Sequence, residues 1–375
     1  MRLLKLLLLS MAVLSARAAG LSVAPDGSLQ HNGILYRGIG VNYYDAFART
    51  LNEPPRPDYD AGFRELALRK IPFARFSAGA YWPREWRLYQ TNRAEYFARL
   101  DGVVKSAERH GIGLIPSLFW QLSTVPDLVG ETVNRWGDTN SRTHAFMREY
   151  TREVVTRYVN SPAIWGWEFG NEFNLPADLP NAAQHRPPAV PSLGTPATRT
   201  ADDELTHEMI RTAFRAFAQE VRRHDVQRII ITGNAFPRVS AWHQAKEKNW
   251  RRDTPEQFAD VLAADNPSPI NTVSVRGYDL TNDIGRLPQA MEVSHALKKP
   301  LFVGEFGVPG ETNEKTRQQF AAILNAIETN HVPLAALWVY DFNSQSKNWN
   351  VNATNARSWQ LDAIQAANAR LVRER

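Results

Sequence analysis

The chain is predicted to fold as a (β/α)8 barrel of the α/β class. Three observations predict it. Apolar strand-like runs alternate with helical patterns through eight units, the 375 residues suit one large barrel with insertions, and the chemically suggestive residues follow strands rather than precede them. A small β-hairpin is expected ahead of the barrel. Leu21-Ser22-Val23 and Gly33-Ile34-Leu35-Tyr36 flank a turn at Pro25-Asp26-Gly27.

The first barrel strand is read over 36–44. A helix over 58–70 leads to a strand over 71–76. The next helix, 92–110, carries Phe97, Leu100 and Val104 on one face and leads to a strand over 112–118. Helix 142–159, with Met147, Tyr150, Val154 and Tyr158, leads to strand 163–169. Helix 202–223, with Ile210, Phe214, Phe217 and Val221, leads to strand 228–232. Helix 255–264 and strand 271–275 follow, then helix 287–298 and strand 301–303. Helix 313–329 and strand 334–340 come next, and a helix over 356–372 closes the chain. The longest loop, 174–200, is rich in Pro, Ala and Asn. It follows the fourth strand, so it is expected to border a cleft at the barrel mouth. A second loop, 233–254, carries Phe236, Trp242 and Trp250, and with the first it favours an extended cleft.

Composition narrows the function. A 43% hydrophobic and 22% charged content describes an ordinary globular protein without a disorder signature. Eleven Trp residues suit flat apolar ligands such as sugar rings as well as a core. Residues 1–18 read as a secretory signal: Arg2 and Lys5 accompany an apolar run from Leu3 to Leu14, and Ala16-Arg17-Ala18 puts small residues before the cut. The expectation is a secreted or periplasmic protein with a single domain over 19–375. Removing the three leader cations from the formal +5 leaves +2, and no basic block with interleaved aromatics stands out, so a nucleic-acid partner is not expected. No later stretch is long and apolar enough to span a membrane. There is no cysteine, no His-Glu-x-x-His and no Gly-x-Ser-x-Gly, and the pair Gly38/Gly40 lacks the third glycine of a phosphate loop. Neither a metal nor another cofactor is expected.

Two stretches carry the chemistry. Trp165-Gly166-Trp167-Glu168-Phe169-Gly170-Asn171-Glu172 delivers an amide and a carboxylate at the end of a buried strand. Pro300-Leu301-Phe302-Val303-Gly304-Glu305-Phe306-Gly307 delivers a second carboxylate in a similar setting. Cleaving a glycosidic bond needs one carboxylic acid to protonate the leaving oxygen and one carboxylate to meet the developing cation. Glu172, beside Asn171 and near Trp165 and Trp167, suits the acid. Glu305, between Gly304 and Phe306 where little bulk blocks approach, suits the nucleophile. Glu168 is a rival that strand alternation places on the same side as Glu172 but deeper, as a paired barrel-interior group.

These two runs resemble the acid/base and nucleophile segments of retaining glycoside hydrolases of clan A, most nearly family 5, the cellulase and β-mannanase family. The resemblance extends over most of residues 21–372. It implies double displacement, with Glu305 as nucleophile and Glu172 as acid/base, on a β-mannan or β-glucan type substrate. By the same resemblance Arg75 supports the nucleophile, Asn171 holds the sugar 2-hydroxyl, Tyr278 bonds the nucleophile and Trp338 lies under the sugar at the cleavage point. Trp120 and Tyr43 complete the expected sugar-binding set. Two departures stand out. Arg276 occupies the place of a His common in the family two residues before the Tyr, and Phe119-Trp120 occupy the region of another. A monomer acting on a carbohydrate is expected. A non-catalytic carbohydrate-binding barrel and a transglycosylase remodelling an envelope glycan share most of these features.

Overall fold

The computed structural model describes residues 20–373, so the expected signal segment at 1–18 lies outside the described residues. Three short strands open it: β1 (Leu21–Val23), β2 (Leu29–His31) and β3 (Ile34–Leu35), paired antiparallel in that order. The expected hairpin is thus a three-stranded sheet. Leu29–His31 forms its middle strand, with Leu29 opposite Val23 and Gln30 opposite Leu35.

The main sheet follows, each strand separated from the next by one or two α-helices. β4 (Gly38–Asn42), α1 (Tyr59–Leu68), β5 (Phe73–Ser77), α2 (Arg87–Thr91), α3 (Arg93–His110) and β6 (Gly113–Phe119) form the first part. α4 (Thr124–Leu128), α5 (Arg142–Tyr158), β7 (Gly166–Gly170), α6 (His207–Arg222), β8 (Ile229–Ile231), α7 (Ala241–Glu247), α8 (Pro255–Ala264) and β9 (Val273–Gly277) continue it. α9 (Leu287–Leu297), β10 (Leu301–Phe306), α10 (Glu314–Thr329), β11 (Leu334–Leu337) and α11 (Trp359–Arg373) complete it. The eight strands β4 to β11 pair in parallel in the order β8-β7-β6-β5-β4-β11-β10-β9. A parallel bridge between Ile231 and Thr272 brings the two ends together. This is the expected (β/α)8 barrel.

Local chemistry explains the boundaries. Asn92, Ser141, Thr254 and Asn313 each accept a backbone N–H in the first turn of α3, α5, α8 and α10, satisfying donors that a helix start leaves orphaned. α6 starts at His207, five residues later than its hydrophobic face predicts. Thr206 accepts from the Met209 amide there, and residues 201–203 form a separate short turn capped by Thr200. The strands are buried on both faces, as a parallel sheet covered by helices requires.

The core lies in two layers. The larger one packs the outer faces of the strands against the helices. The smaller fills the N-terminal end of the barrel, where Leu21, Leu29 and Tyr36 close over Phe73, Ile115, Trp165, Ile229 and Phe302. The opening sheet is therefore a plug for the barrel's lower end. Trp165 belongs to this plug, and Trp167 turns outward to donate its Nε1–H to Asp225 Oδ2 at 2.9 Å. Neither adjoins Glu172, contrary to expectation, because the acid lies beyond the strand's upper end.

One irregularity shapes that upper end. Along β10 against β9, Val303 pairs with Val275 but Glu305 pairs with Arg276, so Gly304 is an extra residue. The same shift appears against β11, between Val303 and Phe306. Such a bulge bends the strand and re-aims the next side chain, here Glu305. Asn42 holds the bulge, donating from Nδ2 to Gly304 O at 2.9 Å and to Leu337 O at 3.2 Å.

Candidate active site

Arg75, on β5 and fully buried, is the hub. Its Nε donates to Glu168 Oε1 at 2.6 Å, and its Nη1 donates to Asn42 Oδ1 at 2.8 Å and Glu305 Oε1 at 2.7 Å. Its Nη2 reaches Asn171 Oδ1 at 3.0 Å, and the guanidinium lies over the Trp120 ring at 4.2 Å. A single planar cation thus ties β4, β7 and β10 together at the height where the two carboxylates emerge.

Glu305 accepts a second bond from Tyr278 Oη at 2.5 Å. Burial, then the charge of Glu305, raises the Tyr278 pKa well above its usual value, so the phenol stays a donor. With Arg75 on one carboxylate oxygen and Tyr278 on the other, Glu305 is held in one orientation.

Glu172 has the opposite setting. It lies two residues past the end of β7 with φ +55°, so strand alternation does not apply to it, and the turn carries it away from Glu168. Its amide donates to Gly233 O at 2.9 Å. Burial pushes its carboxyl up to about 7, and the Glu305 charge adds to the rise, while Arg276 and Arg75 oppose it. Arg276 therefore lowers the Glu172 pKa, but burial outweighs it. Glu168, by contrast, is fully buried and bound to Arg75, a barrel-interior ion pair as expected.

Gly233 is the fixed point for this turn. It has φ +81°, and a Cβ there would stand 1.9 Å from Gly170 O. Gly233→Ala is expected to cost about 2–4 kcal/mol through left-handed strain and a backbone clash, read as a lower urea midpoint. An unchanged midpoint would show that the Gly170–Gly233 contact yields freely.

Both carboxylates line a cavity of about 700 Å³ together with Asn171, Tyr278, Trp120 and Trp338. Trp338 and Trp120 face each other at 5.9 Å and 30°, and the Trp338 indole N–H donates to Gln345 Oε1 at 2.9 Å. Seven of the eight residues expected in the site are thus brought together. The exception is Tyr43. It is fully buried, packs on Phe63 and Tyr340, and donates to Asp341 Oδ2 at 3.0 Å. Asn42 points into the barrel to meet Arg75, so Tyr43 must point out toward α1, and the next residue, Tyr44, lines the cavity instead.

Sequence reasoning also misplaced the walls. The rest of the cavity comes from the loops after β4, β5 and β11, with Tyr44, Asp45, Trp82, Glu85, Phe342 and Trp349 among them. None of residues 174–200 or 233–254 lines it. Arg199 ties the first loop to Asp127 and Asp203 in a largely buried ion cluster, and in the second Phe236 stacks on Phe258 while Trp250 is exposed. Asn42 and Trp349 were missed. The first could have been found as a polar residue ending an all-buried strand; nothing in the sequence marks the second.

Among the described residues no group of His, Asp or Glu could hold a metal ion, and no helix is long and apolar enough to cross a membrane.

Comparison with known proteins agrees with this geometry. The model of the family described as Cellulase (glycosyl hydrolase family 5) matches residues 70–346. A mannan endo-1,4-β-mannosidase A of Podospora anserina is 42% identical over 80 residues, which are 20% of this chain and 21% of that protein. The match thus spans about a fifth of that relative's length. A family 5 mannosidase from Rhizomucor miehei superposes with TM-score 0.66 at 12% identity, covering 96% of this chain and 100% of that one. An exo-β-1,4-mannosidase from an Opitutaceae bacterium superposes with TM-score 0.62 at 16% identity, covering 94% and 63%. At these identities the two superpositions speak to the fold.

Proposed function

The chain belongs to glycosyl hydrolase family 5, and on that premise we propose that it is a retaining β-glycosidase acting on a β-mannan type substrate by double displacement. The observation that carries the proposal is the division of labour between two carboxylates in one cavity. Glu305 is fixed by bonds from Arg75 and Tyr278 to its two oxygens, whereas burial pushes the Glu172 carboxyl up to about 7. In the first step Glu305 attacks the anomeric carbon while Glu172 gives its proton to the departing oxygen. The glycosyl–enzyme ester forms as the glycosidic bond breaks. In the second step Glu172, now a carboxylate, takes a proton from water, which attacks the same carbon and releases Glu305.

Other residues fit supporting roles. Asn171 lines the cavity with its Oδ1 bonded to Arg75, which leaves its NH2 group to donate to the sugar 2-hydroxyl. Trp338 offers a flat face beside the cleavage point. The mannan assignment rests on the mannan-acting relatives and on the Trp167-Glu168-x-x-Asn171-Glu172 pattern.

The test is product release from β-mannans, β-glucans, xylans and aryl β-glycosides, with the anomer of the first product detected. Turnover of mannan with retained configuration is expected. Turnover of another glycan alone would move the substrate and leave the mechanism standing. Inverted product would remove the double displacement. Binding without any turnover would favour a non-catalytic carbohydrate-binding barrel.

A further inference from the structure

Arg276 replaces a residue that is commonly neutral in this family, and its surroundings give it a specific task. It is 2% exposed, on β9, and its Nη2 donates to Gly233 O at 2.7 Å and lies 3.2 Å from Asn171 Oδ1. Gly233 O is the same oxygen that accepts the Glu172 amide, and Asn171 Oδ1 is the same oxygen that Arg75 holds. Arg276 therefore holds the Asn171–Glu172 turn at two oxygens through one nitrogen. Its Nε stands 3.3 Å from Glu305 Oε1 as an ion contact lacking hydrogen-bond geometry.

The backbone makes room for it. A Cβ on Gly304 would stand 1.8 Å from Arg276 Nη1, so the extra residue of the β10 bulge is a glycine whose missing side chain is the guanidinium's seat. The missing side chain at Gly304 thus makes room for the arginine rather than for a substrate. Charge accounts for the cation. Glu168 and Glu305 are two buried anions, and Arg75 alone neutralises one of them. Glu168 also lies beside Gly233, since a Cβ there would meet its Cδ at 3.1 Å, and its Oε2 has no hydrogen-bond partner. A second buried cation balances this second carboxylate while making no hydrogen bond to Glu305.

We propose that Arg276 is a positioning residue for the acid/base, holding the Asn171–Glu172 turn through Gly233 O and Asn171 Oδ1 and neutralising the second buried carboxylate of the barrel. The inference rests on the glycosidase reading for its kinetic consequence but not for its structural one. The charged and titratable groups that act on Glu172 are Glu305 on β10, Arg276 on β9 and Arg75 on β5, with Asp283 after β9 and Arg238 after β8; Tyr278 lies in the same cavity.

Two variants separate grip from charge. Arg276→Gln removes the cation, and Arg276→Lys keeps it while losing the planar guanidinium that the Gly304 seat fits and that places Nη2 between the two oxygens. With a mannan substrate, both should lose kcat by about 10- to 100-fold at little change in KM, because the turn is displaced. Only Arg276→Gln should move the alkaline limb of the kcat/KM profile upward, by about one pH unit. The control needs no substrate: the Glu172 carboxyl, followed by carbon NMR in protein labelled at Glu, should titrate about one unit higher in Arg276→Gln than in wild type. It should stay near the wild-type value in Arg276→Lys. An unmoved Glu172 titration in Arg276→Gln, or kcat within twofold of wild type in both variants, would overturn the proposal. Absence of turnover in the wild type would overturn the glycosidase reading alone, since the carboxyl titration still decides the role of Arg276. If Arg276→Gln does not fold, Arg276→Lys carries the test: full kcat there would refute the grip.

Discussion

Glu305→Ala is expected to abolish turnover, with kcat falling by on the order of 10⁵-fold on any substrate the wild type cleaves. The size follows from what the side chain does in the proposed mechanism. It supplies the bond that replaces the glycosidic bond, and nothing nearby can substitute: Glu168 is tied to Arg75 deeper in the barrel, and Glu172 lies on the leaving-group side. The variant leaves Arg75 and Tyr278 facing a space the size of a carboxylate, both donors without their acceptor. A small anion should enter it. Azide is therefore expected to restore turnover of an aryl β-glycoside and to yield a glycosyl azide of inverted configuration, since only one displacement then occurs. Glycan binding should persist, because the aromatic walls at Trp120, Trp338 and Tyr44 are untouched. Retained hydrolysis in Glu305→Ala without azide would remove Glu305 from the nucleophile's role.

The barrel and most of its site were legible because both are written in short-range patterns. The switch between strand and helix periodicity marks every unit, and α8 falls on its expected bounds, because Thr254 and Pro255 start it by local chemistry alone. The two glutamates were legible because each ends a buried strand in a distinctive run. What escaped depends on contacts between distant residues. Tyr43 and Tyr44 differ by one position, and only the bond that Asn42 accepts from Arg75 on the next strand decides which of them faces the cavity. The path of the loop 174–200 is set by Arg199 meeting Asp127 on α4, 72 residues away, which no local pattern announces. Arg276 shows in the sequence only as a departure from the family pattern, because the seat that Gly304 provides appears only once β9 and β10 are paired.

Glu172→Gln should change pH dependence in two measurable ways. As general acid Glu172 must carry its proton, so wild-type kcat/KM for a substrate with a poor leaving group should fall as pH rises through about 7. In Glu172→Gln that limb should vanish, activity on such substrates should drop by about 10²- to 10⁴-fold, and aryl glycosides that leave unassisted should suffer far less in the first step. The second effect concerns stability. The folded-state pKa is raised from an ordinary 4.5 to about 7, so between these values the native state holds more protons than the unfolded chain. Stability is then lost as pH rises through this window, and above it the buried carboxylate costs about 3 kcal/mol at most. Glu172→Gln removes that cost. The variant should match wild type in urea midpoint near pH 4 and exceed it at pH 8. A stability gain that did not grow between these two pH values would mean that Glu172 ionises without penalty, and the acid role would lose its physical basis.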